Sequence, residues 1–132
     1  MSNVSLKEEA RLYFLPIILG NGKEAHRISG LLWRRYGLVS YILAPRRSAR
    51  DLLDVSSRFV PLVSEHEDLL CMQLTHTATI NPYRLPLLIS TDQQYTELVE
   101  KNRKRLEPLF VICSPESLLE DSPLAALRTS FT

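Results

Sequence analysis

A glycine turn that leads into a helix is the part of this sequence best suited to chemistry. Residues 20–25 read GNGKEA, which fits the pattern G-x-G-x-x-A, and they follow an apolar run at residues 15–19. In that context the turn can hold a phosphate or a carboxylate, because the first backbone N–H groups of a helix have no partner within the helix. The candidate ligand-binding residues at this turn are Gly20, Asn21, Gly22 and Lys23.

Two arginines, Arg46 and Arg47, stand after the second apolar run and are candidates for anion binding. NAD-binding folds usually carry an acid at this position, whereas an arginine there can bind the 2′-phosphate of NADP. A small NADP-binding domain is therefore one interpretation. Residues 23–58 also contain eight basic residues against three acids. That excess either frames an anion or forms an ordinary solvated surface.

A third set of candidates, Thr91, Asp92 and Gln93, follows the apolar run at residues 85–90. Open parallel sheets bind ligands at the carboxyl ends of their strands, and this position is such an end. Asp92 also has a simpler interpretation, since aspartate is a preferred N-cap residue of a helix. The segment is therefore predicted to line a ligand site, with Asp92 capping the helix that follows.

The histidines give no catalytic or metal site. His26, His66 and His76 lie on different predicted elements, and their spacing is not that of zinc ligands. His26 lies one helical turn beyond the glycine turn, so it either contacts a ligand or faces solvent. Facing solvent is the simpler interpretation. The sequence also lacks a recognisable pairing of nucleophile and base, so no catalytic residue and no metal ligand is predicted.

These candidates are positioned by alternating strands and helices. The pattern predicts an α/β fold, a Rossmann-like three-layer αβα sandwich with a mainly parallel five-stranded sheet, in the order 3-2-1-4-5. Pro61 interrupts the third apolar run, which favours an edge strand there. Residues 49–55 are expected to form one helical turn with Leu52 and Leu53 facing inward.

Composition limits the class of protein. The chain has 132 residues, of which 45% are hydrophobic, and a net charge of +1. This suits a single globular domain and provides no overall field for nucleic acid or for a membrane. Cys71 and Cys113 lie in apolar runs without a CxxC spacing, so both are expected to be buried free thiols. The N-terminal segment resembles neither a signal peptide nor a membrane span, and a cytoplasmic location is expected.

The joint order of three segments resembles the N-terminal pre-ATP-grasp domain of ATP-grasp carboxylate–amine ligases. The segments are LPIILGNGKEAHRISGLLWRRYGL, SSRFVPLV and LPLLISTDQQYTELVEKNRKRLEPLFVICSPESLL. The nearest resemblance is to members like D-aspartate ligase and the large subunit of carbamoyl-phosphate synthase. It covers roughly residues 15–120 and implies an arm at residues 1–14 and a tail at residues 121–132.

The resemblance implies a role beside a catalytic domain. In that family the first domain helps to bind the carboxylate or amine substrate and packs against the ATP-grasp domain, so the turns at residues 20–23 and 91–94 would line the cleft. The family's ATP-binding lysines and Mg²⁺ ligands lie in later domains that this sequence lacks. The chain alone is thus expected to bind no cofactor, and to act as a stand-alone or truncated module that pairs with an ATP-grasp subunit or with itself. A non-catalytic homo-oligomeric remnant remains a further alternative.

Overall fold

The computed structural model describes residues 13–118. In chain order the elements are β1 (Phe14–Leu19), α1 (Lys23–Tyr36), β2 (Ser40–Ala44), α2 (Ala49–Leu53), β3 (Ser57–Pro61), α3 (Glu67–Thr79), β4 (Leu85–Ser90), α4 (Gln93–Lys101), α5 (Arg103–Leu106), β5 (Val111–Cys113) and α6 (Pro115–Leu118). Residues 1–12 of the predicted arm and the whole predicted tail lie outside the described residues. Phe14, which was predicted to belong to the arm, is the first residue of β1.

The five strands form one parallel sheet in the order β3-β2-β1-β4-β5. This confirms the predicted Rossmann-like class and the predicted strand order. The central strand β1 is buried along its whole length, as a continuous apolar run requires when helices cover both faces of a sheet. At its carboxyl end, Ile18 is opposite Ile42 of β2 and Ile89 of β4. The loops that follow these three strands therefore leave the same edge of the sheet.

Each face of the sheet has its own hydrophobic core. On one face, α1 buries Ile28 and Leu32 against residues such as Ile18 and Ile42. On the other, α3, α4 and α5 contribute Leu74, Val99 and Leu106 among others. Helix α1 ends at Gly37, whose φ of 68° is left-handed and whose N–H returns to the last turn. Because only residues 20–22 separate the end of β1 from the start of α1, the amino end of α1 lies at the carboxyl edge of the sheet.

The predicted orientation of the short helix α2 is wrong. Leu52 and Leu53 face solvent, with 70% and 82% of their surface exposed. The inward side is instead occupied by Asp51, whose side chain is fully buried and hydrogen-bonded to α1 and to the glycine turn. A charged side chain is buried only when it is paired, and this pairing fixes which side of α2 faces the protein.

Two further expectations concern the cysteines and the membrane. Cys71 and Cys113 are both buried and free, as predicted. Burial raises the pKa of the Cys113 thiol to about 11. Within residues 13–118, no helix combines the length and the apolar character needed to cross a bilayer.

Candidate functional site

The turns after β1, β2 and β4 meet at the carboxyl edge of the sheet. The N–H of Gly20 donates to the carbonyl of Leu43 over 2.8 Å, which ties the glycine turn to β2. On the other side, the N–H and the hydroxyl of Thr91 both donate to the carbonyl of Leu19, over 3.1 Å and 2.9 Å. The sheet thus brings together the two turns that the sequence analysis marked as candidate ligand-binding segments.

Gly20 has to be glycine at this position. Its φ is +111°, a conformation that other residues rarely adopt, and a Cβ atom there would overlap the Thr91 hydroxyl. The two turns are therefore packed against each other at Gly20, and the room for a ligand lies further along the turn.

Gly22 and Lys23 form the open part of the glycine turn. Gly22 is the N-cap residue of α1, it is exposed, and no side chain caps the helix there. Apart from Gly22 itself and its two chain neighbours, no heavy atom of residues 13–118 lies within 4 Å of the place where a Cβ of Gly22 would stand. Lys23 is also exposed, at the first position of the helix. An unblocked helix N-terminus beside an ammonium group is an environment that favours an anion.

The side-chain amide of Asn21 is engaged within the fold. Its Nδ2 atom donates to the carbonyl of Arg46 over 2.7 Å and to Oδ2 of Asp51 over 2.8 Å. The glycine turn is thereby joined to the arginine turn after β2. Arg46 is exposed, whereas the guanidinium of Arg47 stacks over the ring of Phe59 at 5.3 Å from its centroid.

The remaining candidates follow β4. Asp92 is the N-cap residue of α4, as predicted, and accepts a hydrogen bond from the N–H of Tyr95 over 3.2 Å. It also lies near Gly20. Gln93 is turned along the helix, and its amide donates to Glu97 over 3.1 Å. Among the described residues, the Lys23 and Arg46 side chains are therefore the predicted ones that face solvent without a protein partner, and Gly22 lies exposed at the uncapped start of α1.

Behind this edge lies a polar network that the sequence analysis missed. The Nε2 atom of His26 is 2.8 Å from Oδ1 of Asp51, and its Nδ1 atom is 2.5 Å from Oδ2 of Asp54. The His26 side chain is only 11% exposed, so the expectation that it faces solvent is wrong. Because ionised carboxylates only accept hydrogen bonds, both contacts are complete when both ring nitrogens carry a proton.

Each carboxylate of this network has further donors. Asp51 also accepts from the backbone N–H and the hydroxyl of Ser48, over 2.6 Å and 3.1 Å. Asp54 accepts from the N–H and the hydroxyl of Ser56, and the Ser56 hydroxyl also lies 2.8 Å from that of Ser29 on α1. In both cases burial raises the pKa of the carboxyl group, but these hydrogen bonds outweigh it, so the pKa values of Asp51 and Asp54 lie below their usual range.

The order of groups is not that of a histidine-activated serine. A nucleophilic serine needs a hydroxyl that donates to a histidine, whereas here the Ser56 hydroxyl donates to Asp54 and the histidine lies beyond it. Within residues 13–118, no group of three or more His, Cys, Asp or Glu side chains is arranged to hold a metal ion. The network instead fastens α2 to α1 and to the glycine turn.

One local signal for this network was present in the sequence. Ser48 and Asp51 have the S-x-x-D spacing of a capping box, and both hydrogen bonds of that motif are present. The partners His26 and Asn21 lie 25 and 30 residues from Asp51, and no local pattern could indicate them.

Comparisons of this chain with protein-family models, with curated proteins and with solved structures found no match. What this edge binds must therefore be inferred from its own chemistry.

Proposed function

We propose that this chain is a substrate-side module of an ATP-dependent carboxylate–amine ligase, similar to a pre-ATP-grasp domain, that works with a separate ATP-grasp chain. Its part would be to hold the carboxylate of a substrate at the amino end of α1. The partner chain would supply the ATP-binding lysines and the Mg²⁺ ligands. The family resemblance of residues 15–120 supplies the reaction class.

The observation that carries the proposal is the uncapped amino end of α1. Gly22 leaves the first N–H groups of the helix uncovered, and Lys23 adds a positive charge at the same point. A carboxylate there gains from the helix dipole and from hydrogen bonds to charged or partly charged donors. In contrast, the neighbouring polar groups of Asn21 and Asp92 are already hydrogen-bonded within the protein. The site is thus suited to binding a ligand and not to performing a chemical step.

The test is to capture the tagged full chain from a lysate of its source organism and to identify the captured chains by mass. We expect a chain that carries an ATP-grasp domain. Its substrate-dependent release of ADP should rise when the present protein is added. Failure to recover such a chain, or a rate of ADP release that is unchanged by the added protein, would contradict the proposal.

A matched pair of variants locates the effect. Lys23→Glu leaves the helix intact, because an acid in the first turn suits the helix dipole, but it repels a carboxylate ligand. Lys104→Glu makes the same charge change on α5, where Lys104 is exposed. Stimulation should be lost with Lys23→Glu and retained with Lys104→Glu. Equal stimulation by the two variants would contradict a substrate site at the glycine turn.

A second candidate, a small NADP-binding domain, is favoured by one contact. The hydrogen bond from Asn21 to the carbonyl of Arg46 holds the arginine turn beside the glycine turn, as a 2′-phosphate and a pyrophosphate of one ligand would require. NADPH at 100 times its Kd should stabilise the fold by about 2.7 kcal/mol. Thermal denaturation with millimolar NADPH, compared with NADH, checks this. The absence of any shift, or equal shifts with both, would exclude this candidate.

A further inference from the structure

The short helix α2 presents its apolar side chains to solvent. Leu52, Leu53 and the following Val55 are 70%, 82% and 85% exposed, and α2 itself contributes no buried residue. Scattered single apolar residues on a surface are ordinary, but three within four positions form a patch.

This patch is held in a fixed position. The polar side of α2 is fastened to the body through Asp51, and Asp54 directly after the helix is bound to His26 and Ser56. Turning Leu52 and Leu53 inward would expose these carboxylates and break their hydrogen bonds. The apolar side chains are therefore displayed by a rigid support, which lowers the entropy lost when a partner binds.

The segment that carries the patch is basic. Arg46, Arg47 and Arg50 lie in the turn before α2 and in its first residues, and all three are exposed. Within residues 13–118, none of them forms an ion pair with a carboxylate. The acids of the same segment, Asp51 and Asp54, are engaged by His26. Residues 46–55 thus combine three exposed arginines with three exposed aliphatic side chains, and arginine is a residue that protein interfaces favour.

We propose that this α2 platform, formed by Arg46, Arg47, Arg50, Leu52, Leu53 and Val55, docks an acidic amphipathic helix of a partner protein. The apolar side chains of such a helix would cover the two leucines and the valine, and its carboxylates would meet the arginines. A second copy of this chain fits less well, because a two-fold contact would bring the arginines of both copies together. A bilayer also fits less well, because the helices that lie in a membrane interface have an extended apolar face and α2 has five residues.

The platform is tested by selecting peptides from a phage-displayed library of random sequences on the immobilised full chain. We expect the selected peptides to combine Asp or Glu with apolar residues three and four positions apart. The affinity of the leading synthetic peptide, measured by fluorescence anisotropy, should fall at least tenfold in Leu52→Glu/Leu53→Glu and in Arg46→Glu/Arg50→Glu. It should be unchanged in Met72→Glu, which alters an exposed apolar residue on α3.

Several results would overturn the proposal. These are a library that yields no binder, peptides without acidic residues, and an affinity that the platform variants leave unchanged. Dimerisation in sedimentation velocity that is lost in Leu52→Glu/Leu53→Glu would assign the platform to a second copy. Binding of anionic phospholipid vesicles that is lost in the same variant would assign it to a membrane. Lys23→Glu should bind the peptide like the wild type, so a failure of the proposed ligase role would leave this result unaffected.

Discussion

Replacing His26 by alanine is the most informative single change in this protein. Among residues 13–118, the imidazole is the only side chain that bridges Asp51 and Asp54, with one ring nitrogen on each carboxylate. Its removal leaves two acids in a region where the Asp51 side chain has no exposure and that of Asp54 has 14%. The variant therefore measures how strongly the network holds α2 to the rest of the fold.

The expected loss follows from counting the donors that remain. A hydrogen bond to a charged group contributes about 1.5–3 kcal/mol, and His26→Ala removes two of them. Asp51 keeps its bonds from Asn21 and Ser48, and Asp54 keeps those from Ser56, so neither carboxylate is left without a partner. Two such bonds together contribute about 3–6 kcal/mol, and because each carboxylate keeps other donors we expect a loss near the lower end, about 3 kcal/mol in the free energy of unfolding. For a chain of 132 residues this lowers Tm by about 11 °C.

The pH dependence gives a second and independent signature. Because the folded-state pKa values of Asp51 and Asp54 lie below their usual range, their contribution is complete above the unfolded-state value near pH 4 and is lost as the pH falls through the folded-state values. Between about pH 5 and pH 3, the stability of the wild type should fall more steeply than that of His26→Ala. Urea denaturation at each pH measures both curves.

The matched control is His76→Ala, which removes an exposed histidine near the end of α3 and should change stability by less than about 0.5 kcal/mol. A double-mutant cycle with Asp54→Asn isolates the contact to Asp54. A loss below about 0.5 kcal/mol in His26→Ala, or parallel pH curves for variant and wild type, would refute this account of the network.

Three further changes test other parts of the fold. Gly20→Ala should lower the free energy of unfolding measured in urea by about 2–3 kcal/mol, because it places a side chain at positive φ and overlaps Thr91. Adding Thr91→Ala removes the overlap but not the positive φ, so it should restore only part of that loss. Burial, with the nearby Glu65 carboxylate, raises the pKa of Tyr95 to about 12, so Tyr95→Phe should remove a tyrosine transition near pH 12 from an ultraviolet absorbance titration. The Gln73 amide donates to a carbonyl of the edge strand β3 and accepts from an N–H just beyond that strand. Gln73→Ala should therefore lower the free energy of unfolding by about 1 kcal/mol. It should also increase light scattering on incubation, because it uncovers the β3 edge of the sheet.

The strand order could be predicted because its signals are local. The apolar runs of β1 and β4 mark strands covered on both faces, whereas the third run, SRFVP, mixes polar with apolar residues and forms the partly buried edge strand. The glycine at position 37 likewise marks the end of α1. Each of these signals arises from a few neighbouring residues, and the handedness of parallel crossovers then leaves few possible arrangements.

The orientation of α2 could not be predicted in the same way. A helix of five residues is too short for a hydrophobic period to distinguish its two sides, so the prediction that Leu52 and Leu53 face inward rests on composition alone. The orientation is decided by Asp51, and the partners of Asp51 include His26 and Asn21, which lie on earlier elements. Pairing over such sequence distances depends on the assembled fold.

In the candidate site too, the positions of the turns could be predicted from local sequence, but their hydrogen bonds could not. The sequence identified the turns at residues 20–23 and 91–93, and the sheet brings them together because both follow adjacent strands. Residue types alone could not predict which polar groups of these turns are without hydrogen bonds inside the protein. Asn21 and Asp92 resemble ligand-binding residues, yet both are hydrogen-bonded within the protein. Gly22 and Lys23 remain open.

The hydrogen bond between Asn21 and Asp51 connects the proposed ligand edge to the proposed docking platform. Its donor belongs to the glycine turn, and its acceptor belongs to α2 and also binds His26. A ligand that draws the Asn21 amide away would weaken the attachment of α2, and by thermodynamic reciprocity a partner docked on α2 would change the affinity for that ligand. The bond from Asn21 to Asp51, a hydrogen bond to a charged group, would contribute about 1.5–3 kcal/mol to this coupling, or about a tenfold to hundredfold change in affinity. The bond from the same amide to the Arg46 carbonyl would add to it. Asn21→Ala should therefore abolish the coupling in paired titrations of substrate and peptide, and a coupling that survives this change would have to run through other residues.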